Sequence, residues 1–136
     1  MHAKLQLFIA ELNHLYLKSS ILWEGDGVAD SFSWIDGDDA ARSLFSYCRR
    51  DAEGRELTVL LNFTPVEHNG YCLPVSRAGA YKECLNSDAG RYGGRGRVNA
   101  GVLVAEASDG KEPPVLHIRL APMSAIVLQR VDPDER

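Results

Sequence analysis

The chain has 136 residues, with 15 Lys and Arg against 19 Asp and Glu, a formal net charge of −4, 45% apolar side chains and 25% charged ones. That is enough material for one globular domain with its own core, and it excludes a disordered, collagen-like or coiled-coil chain. The acidic balance excludes a generic nucleic-acid binder, which needs a clustered positive field, and no stretch reaches the ~20 apolar residues of a membrane span.

The first 18 residues read as one amphipathic helix. Leu5, Phe8, Ile9, Leu12, Leu15 and Tyr16 recur at i, i+3, i+4 and i+7, so they share one helical face, and Ser19 and Ser20 end the pattern. Glu11, Asn13 and His14 interrupt the apolar run, and with no small-residue cleavage site it does not read as a signal peptide. The sequence offers no second helix to cover the stripe, which must dock on the rest of the chain or on a neighbour.

Residues 23–42 read as a connecting segment, rich in Gly25, Asp26, Gly27, Asp30, Asp36, Gly37, Asp38 and Asp39, with Phe32, Trp34 and Ile35 as packing points or a brief strand. From residue 43 everything reads as β. Strands are expected at 43–50 and 57–63, joined by the polar turn DAEGRE, then at 71–75, 80–85, 102–106, 115–120 and 125–131. Leu116, Ile118 and Leu120 alternate with His117 and Arg119, the pattern of a half-buried strand. About six to eight short strands at this spacing predict an antiparallel sandwich over 43–131, followed by a polar tail at 132–136.

Few residues announce chemistry. The loop RYGGRGRVNAG fits neither GxxxxGK[ST] nor GxGxxG and opens no helix, so it reads as structural. Asp36, Asp38 and Asp39 lack the spacing of a calcium loop and read as turn residues. His2, His14, His68 and His117 are scattered without metal-ligand spacing, so no metal is expected. Cys48, Cys72 and Cys84 are odd in number, widely spaced and form no CxxC, which fits buried thiols in a reducing cytosol better than a disulfide scaffold. Neither a GxSxG elbow nor a Cys with an evident His partner is present. Asn62–Thr64 matches the glycosylation sequon at a strand end, where it reads as silent. Trp34 and Tyr92, aromatic rings in polar loops, are left as candidates to stack on a sugar, with local packing as the alternative.

In order along the chain, ELNHLYLKSSILWE, FSWIDGDDAARSLFSYCRR, LLNFTPVEHNGYCLPV, YKECLNSDAGRYGG and LAPMSAIVLQR resemble the C-terminal region of bacterial 1,4-α-glucan (glycogen) branching enzymes of the α-amylase superfamily. The resemblance covers about residues 10 to 131. It implies a Greek-key, amylase-type all-β domain preceded by the last helix of a (β/α)₈ barrel at 1–22. Leu5, Phe8, Ile9, Leu12 and Tyr16 would then pack on barrel strands. A barrel needs ~250 residues, so the catalytic carboxylates of the superfamily, which sit on its strands, have no counterpart here and no catalytic residue is expected in this chain. The resemblance implies glycogen biosynthesis as context, α-glucan and the barrel domain as partners, no cofactor, and self-association through the helix if its stripe stays uncovered. A non-catalytic α-glucan-binding module and the C-domain of another amylase-superfamily glucanotransferase are the alternatives. Arg95, Arg97 and the stretch DGKEPP depart from the family's usual residues, which bears on glucan contacts in those loops and not on the fold.

Overall fold

The computed structural model describes residues 2–25, 27, 31–39, 44–106 and 110–131, with the backbone alone at 36–39. One helix, α1 (His2–Lys18), and a short 3-10 turn (Ser20–Leu22) precede eight strands. These are β1 (Phe32–Asp39), β2 (Leu44–Arg50), β3 (Glu56–Asn62), β4 (His68–Pro74), β5 (Gly79–Asn86), β6 (Val102–Ala105), β7 (Val115–Leu120) and β8 (Ser124–Arg130). They form a six-stranded sheet in the order β1-β2-β3-β8-β5-β6 and a two-stranded sheet of β4 and β7. Every strand pairing is antiparallel.

The period-2 pattern sorts side chains between two apolar layers. Leu44, Leu60, Tyr81, Ile126 and Leu128 of the large sheet face Leu73, Leu116, Ile118 and Leu120 of the small one, and these form the main core. On the opposite face of the large sheet, Leu57, Val59, Leu85 and Val127 meet Ile21, with Phe8 and Leu15 of α1 packed against them. This is why β3 and β8 read as nearly continuous apolar runs: both of their faces are covered. β8 arrives last and inserts between β3 and β5, so it completes the sheet. Its Ile126 and Leu128 are fully buried.

The turn between β2 and β3 is built on Asp51. Its carboxylate accepts the backbone N–H of Glu53 at 3.0 Å, the N–H of Arg55 at 2.9 Å and the Arg55 Nε at 2.7 Å. Gly54 takes φ 81°, a left-handed conformation that disfavours other residues.

The strand positions agree with the sequence reading within a few residues, with one correction. The connecting segment expected at 23–42 contains β1, so the large sheet begins at Phe32. Gly37 and the aspartates argue against a strand by propensity. As an edge strand, however, β1 pairs on one side only and absorbs two register irregularities, between Trp34 and Asp36 and between Asp36 and Asp39. The side chains of Asp36, Asp38 and Asp39 lie outside the described residues.

Candidate functional site

The α1 stripe divides between two jobs. Phe8 and Leu15 turn onto the large sheet. Phe8 meets the ring of Tyr92 edge-on at 5.1 Å between centroids. The Tyr92 hydroxyl donates to the Glu11 carboxylate, which also accepts Arg91 at 3.2 Å. The Arg91 guanidinium lies 4.9 Å from the centre of the Tyr92 ring. Burial, then the hydrogen bond to Glu11, raises the Tyr92 hydroxyl above its ordinary pKa. Trp23 Nε1 donates to the Tyr16 carbonyl at 2.9 Å and ties the helix end to the following turn. The remaining apolar residues, Leu5, Ile9, Leu12 and Tyr16, recur at steps of four, three and four and stay exposed, Leu5 at 58%.

A second apolar surface lies on β1 and β2. Trp34 is 60% exposed and stands opposite Tyr47 in the strand register. Phe32, Trp34 and Tyr47 form a mutual cluster. The Phe32 ring is 5.2 Å from Trp34 edge-on and 5.2 Å from Tyr47 stacked, and Trp34 is 6.0 Å from Tyr47. Phe45, two residues before Tyr47 and so on the same strand face, contacts the exposed Phe63 at 5.7 Å. Of this surface, the sequence marks Phe32 and Trp34 as packing points and Trp34 as the sugar-stacking candidate. The signal for its partners was the i, i+2 alternation of Phe32 with Trp34 and of Phe45 with Tyr47. The structure does not bring Trp34 and Tyr92 together in one cluster: Trp34 belongs to the β1–β2 surface, and Tyr92 holds α1.

The glycine-rich loop spends its backbone donors internally. Gly96 N–H reaches the Asp88 carbonyl at 2.7 Å, and Arg97 N–H reaches Asp88 Oδ2 at 2.9 Å. A Cβ on Gly94 would sit 2.1 Å from the Asp88 carbonyl oxygen, so the close approach of two backbones requires glycine there. Arg97 pairs with Asp88 at 3.3 Å and with Glu67 at 3.9 Å, so its charge is partnered within the chain. Asn62 of the sequon is buried, and its Nδ2 donates to the carbonyls of Val66 and Ala121, both at 2.9 Å.

Glu53 and Glu56 share a cleft with Arg55, Arg77 and Arg130. Burial works to raise the Glu56 pKa, but the Ser76 hydroxyl at 2.6 Å and Arg50 at 2.9 Å outweigh it and hold the carboxyl below its ordinary value. A glycosidic general acid needs the opposite shift. Glu53 faces Arg55 at 3.5 Å. Among the described residues, no three His, Cys, Asp or Glu side chains gather to hold a metal ion. No helix of the described residues is long and apolar enough to cross a membrane.

The family described as "Alpha amylase, C-terminal all-beta domain" matches residues 34–131. The chain is 37% identical over 129 residues to the 1,4-alpha-glucan branching enzyme GlgB of Paraburkholderia xenovorans, a match that covers 94% of this chain and 18% of that protein. It is 39% identical to the protein of the same name from Nitrosomonas eutropha, with 93% of this chain and 18% of the relative covered. For that of Halothermothrix orenii it is 34% identical, with 93% and 20% covered. The chain thus spans about a fifth of the length of these relatives. With β2 to β8 inside the matched region and β1 overlapping its start, the chain belongs to the family of the alpha amylase C-terminal all-beta domain.

Proposed function

We propose that this chain is the C-terminal β-domain of a 1,4-α-glucan branching enzyme and serves as its non-catalytic companion. The observation that carries this reading is the extent of the similarity: it runs through nearly all of this chain and through 18% of the first relative. The parent reaction would cut an α-1,4 bond through a covalent glycosyl-enzyme and rejoin the segment as an α-1,6 branch. That double displacement requires a nucleophile and an acid/base that trades roles. The commitment of Glu56 to Arg50 and Ser76, and of Glu53 to Arg55, supports a location for that chemistry outside this chain.

In this reading two surfaces carry the companion's work. The outward row of α1, Leu5, Ile9, Leu12 and Tyr16, packs on the catalytic barrel, while Phe8 stays with the β-domain. The Phe32–Trp34–Tyr47 surface contacts α-glucan by stacking an indole face against the apolar face of a glucose ring. Tyr92 does not share this role, because its ring and hydroxyl are engaged by Phe8, Arg91 and Glu11. The relatives' shared name favours branching enzyme over another glucanotransferase of the superfamily.

Titration of the chain with maltoheptaose, followed by tryptophan fluorescence and amide chemical shifts, tests the glucan surface. Saturable binding is expected, weakened about fivefold to tenfold by Trp34→Ala, as loss of one stacking contact of ~1 kcal/mol requires. The fold should be unchanged. Unaltered affinity in that variant would remove Trp34 from the site.

A further inference from the structure

Cys72 and His117 stand directly opposite each other in the register of β4 and β7. Cys72 Sγ lies 3.6 Å from His117 Nδ1 and 3.8 Å from the Gly70 carbonyl. Both side chains are exposed, on the face of the small sheet turned away from the core. A shallow cleft lined by Glu67, His68, Asn69 and Gly70 opens beside the sulfur. The other two thiols are placed differently. Cys48 is buried, and its thiol is pushed up to about 12, first by burial and then by the nearby Glu56. Cys84 is partly buried, which raises its thiol, and its Sγ contacts the Gln129 Oε1 at 3.7 Å.

We propose that Cys72 and His117 form a thiol–imidazole pair that makes Cys72 a site of reversible mixed-disulfide formation with low-molecular-weight disulfides. The thiolate is the attacking species, and an imidazole within reach of the thiol proton promotes its formation. Cys72 Sγ attacks one sulfur of the disulfide RS–SR. The Cys72 S–S bond forms as the reagent's S–S bond breaks. The thiol proton passes to His117 Nδ1 and then to the departing thiolate, which leaves as RSH. Cys72 is oxidised and one sulfur of the reagent is reduced, so the step needs no other reactant. The cross-strand register fixes the two groups, and the cleft admits the reagent. The adduct points away from the core, so the fold tolerates it. The charged and titratable groups at this surface are Glu67, His68, Arg119 and Arg97, with Glu67 paired to Arg119 at 2.8 Å and to Arg97 at 3.9 Å.

The test is incubation of the folded chain with oxidised glutathione, with intact mass and peptide mapping as readout, together with the rate of reaction with a chromogenic aromatic disulfide from pH 5 to 9. The expected result is a single adduct, at Cys72, that a reducing thiol removes. His117→Gln should slow the reaction about tenfold near neutral pH and change the shape of the pH–rate profile. The thermal midpoint should stay the same, and Cys72→Ser should abolish the adduct. Modification of Cys84 or Cys48 first would overturn the proposal. So would a rate and pH profile indifferent to His117→Gln. Should that variant not fold, a parent rate no faster than that of an unstructured peptide carrying the same Cys would overturn it equally.

Discussion

Glu56, at the start of β3, holds one end of the sandwich together. Its carboxylate accepts Arg50 from the adjacent strand and the Ser76 hydroxyl from the segment after β4. Its pKa in the folded chain lies below the ordinary 4.5, so its stabilisation is fully present above 4.5 and is lost as pH falls through the folded value. Glu56→Gln is therefore expected to cost about 1–2 kcal/mol at pH 7. The gap from the parent should close in acid, as read by urea denaturation at pH 7 and below pH 4. A gap independent of pH would contradict the assignment. At this scale the sequence was informative where chemistry is local. The turn role of the polar stretch DAEGRE follows from its composition, because an aspartate acceptor and a glycine act on their own neighbours. Contacts such as Cys72 with His117, or Tyr92 with Glu11, join residues far apart in sequence, and their spacing carries no sign of them.

The elements differ in what holds them. β3 and β8 are fixed by apolar side chains covered on both faces, and the nearly continuous run at 57–63 makes the first of these legible in the sequence. β1 was legible only as packing points, because its glycine and aspartates contradict strand propensity and its pairing with β2 overrides them. The helix was legible in extent but not in orientation: one period of 3.6 residues gave a single broad stripe, and the structure divides it between Phe8 and Leu15 inward and Leu5, Ile9, Leu12 and Tyr16 outward. Tyr92 clamps that orientation. Tyr92→Ala removes the ring contact to Phe8 and the hydrogen bond to Glu11, and it is expected to lower the free energy of local opening of α1 by about 1–2 kcal/mol. Amide hydrogen exchange should accelerate in α1 and stay constant in β3 and β8. Tyr92→Phe should fall between. Equal acceleration throughout the domain would show that the clamp acts on the whole fold instead.

Across the whole molecule, the sandwich presents two apolar surfaces, the outward row of α1 and the aromatic cluster of β1 and β2. The first is large enough in side chains to seek cover. Without a barrel to receive it, the isolated chain is expected to self-associate through this row, with an average mass by light scattering that rises with concentration. Leu12→Asp should hold it as a monomer with an unchanged fold. A parent chain that stays monomeric at every concentration would contradict this use of the row.

The most direct measurement is glucan transfer by the purified 136-residue chain itself. Amylose would be incubated with it, and α-1,6 linkages counted by the anomeric proton signals and by the iodine stain. No branch signal above the protein-free control is expected at any pH. New α-1,6 linkages that grow with time and with protein concentration would contradict it, because they would require a nucleophile and an acid/base within this chain.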